Sequence, residues 1–550
     1  MESEHEMRES SSASAGATWS LALAFAVCGA AWLGSEGTYH GDERFYTDSV
    51  LRMLAGGDWW RPEYADGSAR LNKPLLVYWL MGASMKLLGA NLFAARLPFL
   101  LTGALLIPLT ARLARALFPR TPNAALLAAA LVASNSSILT LAVRCTPDIL
   151  LVAAVAVAWI GLAELLVAQR EPRACSWWLW GGIGLAAASK GSLAIVLALF
   201  AVVAVTLIAR GAWRRLLHLP ALALAAAVAG VSLAPLWLAS DPRAGSSFVE
   251  DQVASRLASS PLEALALAAD YAGSTARHFA PWVLAPLLLW RRRRASSSER
   301  SASDPQERRA LTLVLAFAAT LWVVFSAANL HRGRYLAPCY PVLACALSAW
   351  VVQLGPHRAF GGLLRVLTWL AGAVCALLAI ALFRVDLAAC ASAALVAAVS
   401  IALARGRAPQ RRPLEFALAS FALLALAAPA LRATFCSDYY RQAARLARLD
   451  ATWGFDPSTP ALVRVLSGGR LDPQPWPEAP DELRRERDES VLVLAERAAE
   501  LERDGWRLTR CGFRARRLKA RDVLPLLRAE DPLEWFAGQG AAVFVAERER

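Results

Sequence analysis

Long apolar runs separated by short charged segments fill the chain from residue 18 to residue 430. Many of these runs reach roughly 18 residues, the length of helix that crosses the hydrocarbon core of a bilayer. The alternation of apolar runs and charged segments predicts roughly thirteen transmembrane helices. Residues 1–433 are therefore interpreted as one polytopic α-helical membrane domain.

The composition changes to that of a soluble protein over residues 434–550. Two short runs that are typical of β-strands lie at residues 491–494 and 542–545. Helical patterns occupy residues 439–449 and 496–504. We predict a small α/β domain outside the membrane, on the side opposite the N-terminus because the predicted number of crossings is odd.

The basic residues that give the chain its formal net charge of +14 are concentrated in short loops between apolar runs. They are Arg112, Arg115 and Arg120; Arg210, Arg214 and Arg215; Arg291–Arg294; and Arg405, Arg407, Arg411 and Arg412. Cytoplasmic loops of membrane proteins carry such an excess of arginine and lysine. The distribution explains the charge without nucleic acid, which we exclude as a partner.

The segment at residues 34–93 lacks that basic excess and is interpreted as the first external loop. Between residues 34 and 90 it contains seven acidic and six basic residues. Its apolar stretch at residues 75–88 is short, and a crossing there would invert every later loop, so we predict an amphipathic helix in the outer interface. The first apolar run, at residues 18–33, follows a leader without a clear basic region. We interpret it as a retained helix rather than a signal peptide.

Ionisable side chains gather at positions that this topology places on the outer face. The candidate residues are Asp42, Glu43, Tyr46, Lys73, Asp148, Lys190, His278, Arg332, Arg334 and Tyr335. An ionisable group beside a membrane span is costly unless it is solvated or used in function. Structural alternatives stay open: acids complement a helix N-terminus, lysines snorkel to headgroups, and a lone histidine is more often structural than a metal ligand.

Basic residues on the outer side run against the positive-inside bias and indicate an anionic ligand such as a phosphate. A carboxylate in the same place can orient or deprotonate an attacking hydroxyl. The chain has no Walker loop, no dinucleotide-binding fingerprint after a strand and no serine nucleophile elbow. The pattern therefore favours a lipid-phosphate substrate over nucleotide-driven chemistry.

Several motifs follow one another in the order seen in a known family. They are Asp42-Glu-Arg-Phe-Tyr46, Gly57-Asp-Trp59, Lys73-Pro-Leu-Leu-Val-Tyr-Trp79, Asn91-Leu-Phe-Ala-Ala-Arg-Leu-Pro98, Ser189-Lys-Gly191, His278-Phe-Ala-Pro-Trp282 and Arg334-Tyr-Leu-Ala-Pro338. Residues 36–341 thereby resemble polyprenyl-phosphate-dependent glycosyltransferases of the GT-C type. Within these, the chain is similar to the bacterial aminoarabinose transferases that modify lipid A, which are relatives of the protein O-mannosyltransferases.

The resemblance implies a multi-pass protein of the bacterial inner membrane with its active site and C-terminal domain in the periplasm. It implies that Asp42 and Asp148 are the catalytic carboxylates. It further implies a set of residues that bind the donor or its phosphate, namely Glu43, Tyr46, Lys73, Lys190, Arg332, Arg334 and Tyr335.

One position departs from the family pattern. Where relatives commonly carry a glutamate before the Lys-Pro pair, this chain has Asn72. In the family that glutamate can hold a divalent metal together with a histidine, which corresponds to His278 here. Because asparagine is a poor metal ligand, a divalent metal at His278 is left open, and no other cofactor is expected.

These observations predict an enzyme that moves a sugar from a polyprenyl-phosphate donor to a lipid A-like lipid, a polymer or a protein. The bond to phosphate already activates the sugar, so no nucleotide is required. Two alternatives stay open: a flippase for a lipid-linked substrate, and an inactive scaffold of the same family. Transporters often show two related halves with broken helices, and no such internal symmetry stands out.

Overall fold

The computed structural model describes most of the membrane domain and short parts of the C-terminal region. The described residues are 2–35, 39–64, 67–70, 73–191, 193–208, 217–238, 260–295, 304–328, 333–383, 386–406, 408–428, 464–469, 490–494, 502–503, 505–514 and 541–548.

Helices make up nearly all of the described membrane domain. Those of its first half are α1 (Glu2–Ala30), α2 (Arg44–Gly56), α3 (Leu76–Leu88), α4 (Leu92–Leu117), α5 (Asn123–Ala133), α6 (Ser136–Ala142), α7 (Asp148–Leu166), α8 (Pro172–Lys190), α9 (Leu193–Ile208) and α10 (Leu219–Leu238). Those of its second half are α11 (Pro261–His278), α12 (Leu284–Ala295), α13 (Pro305–Ala327), α14 (Tyr340–Leu354), α15 (Arg358–Leu382), α16 (Leu387–Ala404) and α17 (Arg412–Ala422). Short 3₁₀ turns, Gly41–Glu43 and Gly333–Cys339, directly precede α2 and α14.

Six helical segments of the described chain are long and apolar enough to cross a membrane. They are α4, α7, α13, the Gly333–Leu354 segment that contains α14, the Arg358–Ile380 part of α15, and α16. The pair α5 and α6, bent between its two parts, would make a seventh. Many large apolar side chains of these segments point outward, as expected where lipid replaces water. The chain is therefore a polytopic helical membrane protein.

Residues 124–143 are one of the mainly apolar runs of the sequence, but the helix that they form is broken between α5 and α6 by 62°. Asn135 causes the break. Its side-chain oxygen accepts hydrogen bonds from the N–H groups of Ser137 and Ile138 over 3.0 and 3.2 Å. An asparagine in this position caps a new helix rather than continuing the old one.

The arginines at residues 291–294, which the charge pattern places in a loop, belong to a helix, and residues 296–303 beyond them lie outside the described part of the chain. Helix α12 continues through the arginines to Ala295, because arginine is a good helix former. Helix α13 then begins at Pro305, with the Asp304 side chain as its N-cap. Proline suits this first helical position, where its missing N–H would have had no partner.

The apolar stretch near residues 75–88 forms α3, a helix of 13 residues. At 1.5 Å per residue it is about 20 Å long, shorter than the hydrocarbon core of about 30 Å. The Trp79 indole N–H, on α3, donates to the carbonyl of Trp59 over 2.7 Å. The length of α3 agrees with the prediction that this helix does not cross the membrane.

The described part of the C-terminal region contains a three-stranded antiparallel sheet. Its strands are β1 (Ser490–Leu494), β2 (Trp506–Arg514) and β3 (Ala541–Arg548), in the order β1–β3–β2. Strands β1 and β3 contain the two β-like runs predicted from the sequence. Strand β2 was missed because arginines and a bulge near Gly512 interrupt its pattern. The helix predicted at residues 439–449 and most of that at 496–504 lie outside the described residues.

Helix α7 lies at the centre of the bundle, and nearly all of its side chains are buried. It packs against α8 through glycines that let the two backbones approach closely. A Cβ added at Gly161 would lie 2.4 Å from the backbone nitrogen of Leu179, and one added at Gly182 would lie 2.3 Å from that of Ala158. This contact holds the start of α7 beside the end of α8, where two of the candidate site residues lie.

Replacing Gly182 by alanine is expected to lower the free energy of unfolding by about 1–3 kcal/mol, because the added methyl group collides with the α7 backbone. The neighbouring Gly181 has no atom within 4 Å of an added Cβ. Gly181→Ala is therefore the matched control and should raise that free energy by up to about 1 kcal/mol through helix propensity. Thermal unfolding in detergent measures both variants. Equal stability of the two would contradict the close packing of α7 on α8.

Candidate active site

Asp42 forms an ion pair with Arg334 at one end of the bundle. The Nη2 atom of Arg334 donates to Oδ2 of Asp42 over 2.7 Å, and the two side chains are 20% and 25% exposed. Asp42 belongs to the 3₁₀ turn before α2, and Arg334 belongs to the one before α14. The pair therefore joins the first loop to a distant segment of the chain and leaves both groups accessible.

The backbone of the Gly41–Glu43 turn fixes the position of Asp42. His40 precedes the turn, and its Nδ1 accepts a hydrogen bond from the Asp42 N–H over 3.2 Å. Glu43 completes a capping box, since its Oε1 accepts from the His40 N–H over 2.9 Å. Burial and the neighbouring Arg144 lower the pKa of the His40 imidazole. The ring is therefore neutral near pH 7, which suits its role as an acceptor.

A second ion pair joins Asp148 and Lys190. The Nζ atom of Lys190 lies 2.5 Å from Oδ1 of Asp148. Asp148 begins α7 and Lys190 ends α8, so the glycine-mediated packing of these helices brings the two side chains together. The Lys190 ammonium also lies 4.6 Å from the ring centre of Tyr335, within reach of a cation–π contact. Tyr335 stacks in turn on Phe325, with 5.7 Å between ring centres.

The two ion pairs belong to one group, which we call the carboxylate–cation cluster. Its members are Asp42, Asp148, Lys190, Arg334 and Tyr335. Arg334 interacts electrostatically with Asp148 as well as with Asp42, and Tyr335 connects the Arg334 segment to Lys190. Such a cluster can bind an anion through its cations, while a carboxylate orients or deprotonates an attacking hydroxyl.

Glu43 lies inside the fold, which corrects the expectation that it binds the donor. Its side chain and that of Arg96 are both fully buried. Arg96 donates from Nε and Nη2 to the two Glu43 oxygens over 2.8 and 3.1 Å, and the Cys145 thiol donates to Oε2 over 3.1 Å. Burial alone would raise the pKa of Glu43, but Arg96 outweighs it, so the pKa is lowered. Glu43 thus anchors the turn that carries Asp42.

Tyr46 is also buried, in a group of aromatic rings around Arg70. The Arg70 guanidinium lies 4.5 Å from the ring centre of Tyr46, 5.1 Å from Phe45, 5.3 Å from Tyr64 and 5.8 Å from Tyr78. Burial raises the pKa of the Tyr46 hydroxyl, while Arg70 opposes this rise. Sequence reasoning had assigned no role to Arg70 or Arg96. The sequence did contain a signal for both residues, namely an arginine among aromatic or apolar neighbours. Such an arginine needs a partner when it is buried.

The structure describes only some of the remaining predicted residues. Lys73 is half-buried in the bend before α3. Two residues later, the N–H of Leu75 donates to the carbonyl of Ser232 in α10 over 2.9 Å, which fixes this bend against the bundle. Arg332 and Asn72 lie outside the described residues.

Residues 72–238 match the protein family described as dolichyl-phosphate-mannose-protein mannosyltransferase. The undecaprenyl phosphate-alpha-4-amino-4-deoxy-L-arabinose arabinosyl transferase of Pseudomonas aeruginosa is 30% identical over 354 residues, which cover 61% of this chain and 60% of that protein. A protein of the same name from Pectobacterium carotovorum is 28% identical over 373 residues, covering 65% of this chain and 62% of that protein. The chain thus spans less than two thirds of the length of these relatives.

The solved structure of ArnT from Cupriavidus metallidurans bound to undecaprenyl phosphate is similar over 96% of this chain and 97% of that one. Its TM-score is 0.64 at 20% identity. The apo state of the same protein gives a TM-score of 0.61 at 19% identity, over 92% and 93% of the two chains. The chain therefore has the same fold as this protein.

The sequence leaves a divalent metal at His278 open, and the described side chains around this residue do not fit one. Nδ1 of His278 lies 2.8 Å from Oγ of Ser136, and the Asn135 amide donates to the His278 carbonyl over 3.2 Å. Burial and, less strongly, Arg277 lower the pKa of this histidine. The described residues hold no group of three or more His, Cys, Asp and Glu that suits a metal ion. His278 instead ties α11 to the bent pair α5 and α6.

Proposed function

We propose that this chain transfers a sugar from a polyprenyl-phosphate donor to an acceptor at the periplasmic face of a bacterial inner membrane. The observation that carries the proposal is the carboxylate–cation cluster, assembled from the first loop, α7, α8 and the turn before α14. The GT-C fold, the family match and the relatives named for undecaprenyl phosphate-linked aminoarabinose all support the same substrate class.

In the proposed reaction the acceptor oxygen attacks the anomeric carbon of the sugar. The bond between that carbon and the phosphate oxygen breaks with inversion, and the polyprenyl phosphate leaves with the electron pair. Lys190 and Arg334 stabilise the charge that develops on the leaving phosphate, since cations act strongly where charge appears. Lys73 and Arg332 are proposed as further phosphate contacts.

Asp42 is the proposed base for a hydroxyl acceptor, and it returns the proton to solvent after transfer. A phosphate acceptor is already nucleophilic and would need only to be oriented. Asp148 acts on Lys190, holding its ammonium at the end of α8 where the donor phosphate would lie. Tyr335 supports Lys190 from the other side, through the cation–π contact.

A lipid acceptor of the lipid A kind is the first choice, because the named relatives transfer aminoarabinose from a lipid carrier. A polymer or a protein would be the acceptor if lipids prove inert. We further propose that the chain crosses the membrane about thirteen times, in keeping with runs of roughly 18 apolar residues. The C-terminal region would then lie in the periplasm, on the same side as the cluster.

The proposal is tested with purified protein in liposomes supplied with a pool of polyprenyl-phosphate sugars and a bacterial lipid extract. Mass spectrometry follows each donor and every new glycosylated product. Loss of one donor together with gain of one product would identify both substrates. If all donors survive with folded protein, the transferase proposal fails, and lipid movement without headgroup change would identify a flippase instead.

Removal of divalent metals with EDTA is expected to change the rate of sugar transfer by no more than about twofold, because no proposed step needs a Lewis acid. His278 is held by Ser136, and Asn72 replaces the glutamate that would complete a metal site. The rate is measured in the liposome assay after dialysis, with and without added Mg²⁺, Mn²⁺ or Zn²⁺. A large loss that one of these ions restores would contradict the expectation.

A further inference from the structure

A short turn from the C-terminal region, Arg464–Gly469, is packed against the first external loop. Arg464 donates from Nε and Nη2 to the two carboxylate oxygens of Asp48, each over 2.9 Å. The side chains are 12% and 8% exposed, so the pair is largely shielded from water. Asp48 lies in the second turn of α2. The contact therefore joins the C-terminal region to the helix that follows the Asp42 turn.

Apolar packing and a hydrogen-bonded C-terminal cap hold this turn in place. Val465 is fully buried in the main core of the membrane domain. The Gly469 N–H donates to the carbonyl of Arg464 over 2.7 Å and the Gly468 N–H to that of Val465 over 3.3 Å, which is the hydrogen-bond pattern of a Schellman motif. Gly468 has φ of +65°, a conformation that favours glycine, and a Cβ there would lie 3.4 Å from the Ala90 carbonyl.

We propose that Arg464 is a positioning residue for the Asp42 turn, acting through Asp48 and α2. This inference rests on the proposed function, since it assigns Arg464 a part in orienting the catalytic carboxylate. Helix α2 is continuous with the Gly41–Glu43 turn, so a shift of its axis moves Asp42 directly.

Three contacts fix α2 from different directions. The buried pair of Glu43 with Arg96 holds its start. The Ser49 hydroxyl donates to the Glu63 carbonyl over 2.6 Å and holds one side. Arg464 binds Asp48 from the C-terminal region. Of these three contacts, this one alone involves a residue from outside residues 33–96. A bidentate arginine–carboxylate pair fixes direction as well as distance, which apolar packing by Val465 would not do.

The test compares the wild type with Arg464→Ala, Arg464→Lys and a matched control, Arg61→Ala. Arg61 pairs with Glu63 over 3.4 Å in the same loop, but its side chain is 62% exposed. Amide hydrogen exchange of α2 is measured in detergent, and kcat and the donor KM are measured in liposomes. The exchange measurement needs no activity, so it decides the contact with α2 even if the proposed function fails.

In Arg464→Ala we expect α2 amides to exchange at least about tenfold faster and kcat to fall about tenfold, with the donor KM changed less than about threefold. Lysine keeps the charge but loses the paired geometry. The α2 exchange rate and the kcat of Arg464→Lys should therefore lie between those of the wild type and those of Arg464→Ala. Arg61→Ala should match the wild type. The proposal would be overturned if the α2 amides of Arg464→Ala exchanged at the wild-type rate. It would also be overturned if this variant kept the wild-type kcat, or if its loss of activity came from a raised donor KM. If Arg464→Ala does not fold, Arg464→Lys is judged by the same criteria.

Discussion

Replacing Asp42 by asparagine is expected to lower the turnover number for sugar transfer by about 10²- to 10⁴-fold, the contribution typical of a positioned general base. Asparagine keeps the size of the side chain and can still accept a hydrogen bond from Arg334. It carries no charge, however, and cannot take up the acceptor proton. The donor KM should change far less, because Lys190 and the other cations still hold the phosphate. Initial rates at varied donor concentration give both constants.

Asp58→Asn is the matched control for this variant. Asp58 lies on the same loop but is exposed, and its Oδ1 accepts a hydrogen bond from the Trp60 N–H over 2.8 Å. Its substitution should leave turnover within about twofold of the wild type. A loss of only about tenfold in Asp42→Asn would point to an acceptor phosphate that is oriented but not deprotonated. Unchanged turnover in Asp42→Asn would rule out both roles for Asp42.

Replacing Arg96 by alanine is expected to destabilise the protein by about 3–5 kcal/mol, because it leaves the Glu43 carboxylate buried without its cation. Arg96 also donates to the backbone carbonyl of Leu33 over 2.8 Å, so its loss frees the end of the preceding segment as well. The lowered pKa of Glu43 gives the effect a pH dependence. The stabilisation is complete above the ordinary pKa of 4.5 and is lost as the pH falls below it.

Arg120→Ala provides the control for Arg96→Ala. Arg120 pairs with Asp304 over 2.8 Å, a distance like that of the buried pair, but its side chain is 74% exposed. Exposed pairs of this kind contribute at most about 1 kcal/mol. Unfolding of both variants by heat or SDS in detergent, measured at pH 7 and at pH 4, separates them. Equal destabilisation by the two substitutions would show that burial does not decide the strength of the pair at Arg96.

The sequence predicted the membrane class and the residues of the cluster, because long apolar runs and charged motifs between them are local features. The pairing within the cluster was not predictable in the same way. Asp148 meets Lys190 only because Gly161 and Gly182 allow α7 and α8 to touch, and spacing alone does not reveal such a contact. Glu43 was misplaced because it neighbours Asp42 in the chain. In a 3₁₀ turn, however, successive side chains point about 120° apart.

Boundaries were missed where a single side chain overrides the apolar pattern. Asn135 bends an apolar run by capping a new helix inside it, at the polar residues 134–137 that interrupt the run at residues 124–143. The arginines before Ala295 were assigned to a short cytoplasmic loop, but arginine also supports a helix. The contact of Arg464 with Asp48 joins residues that no periodic pattern relates.

The buried pair of Glu43 with Arg96 also constrains how the protein is made. Arg96 lies in the first turns of α4, and its partner comes from a segment synthesised 53 residues earlier. The guanidinium is costly beside lipid until that segment has folded onto it. Insertion of α4 and folding of the first loop are therefore one coupled event during biogenesis. A chain in which that loop folds late would present an unpaired charge that the insertion and quality-control machinery can detect.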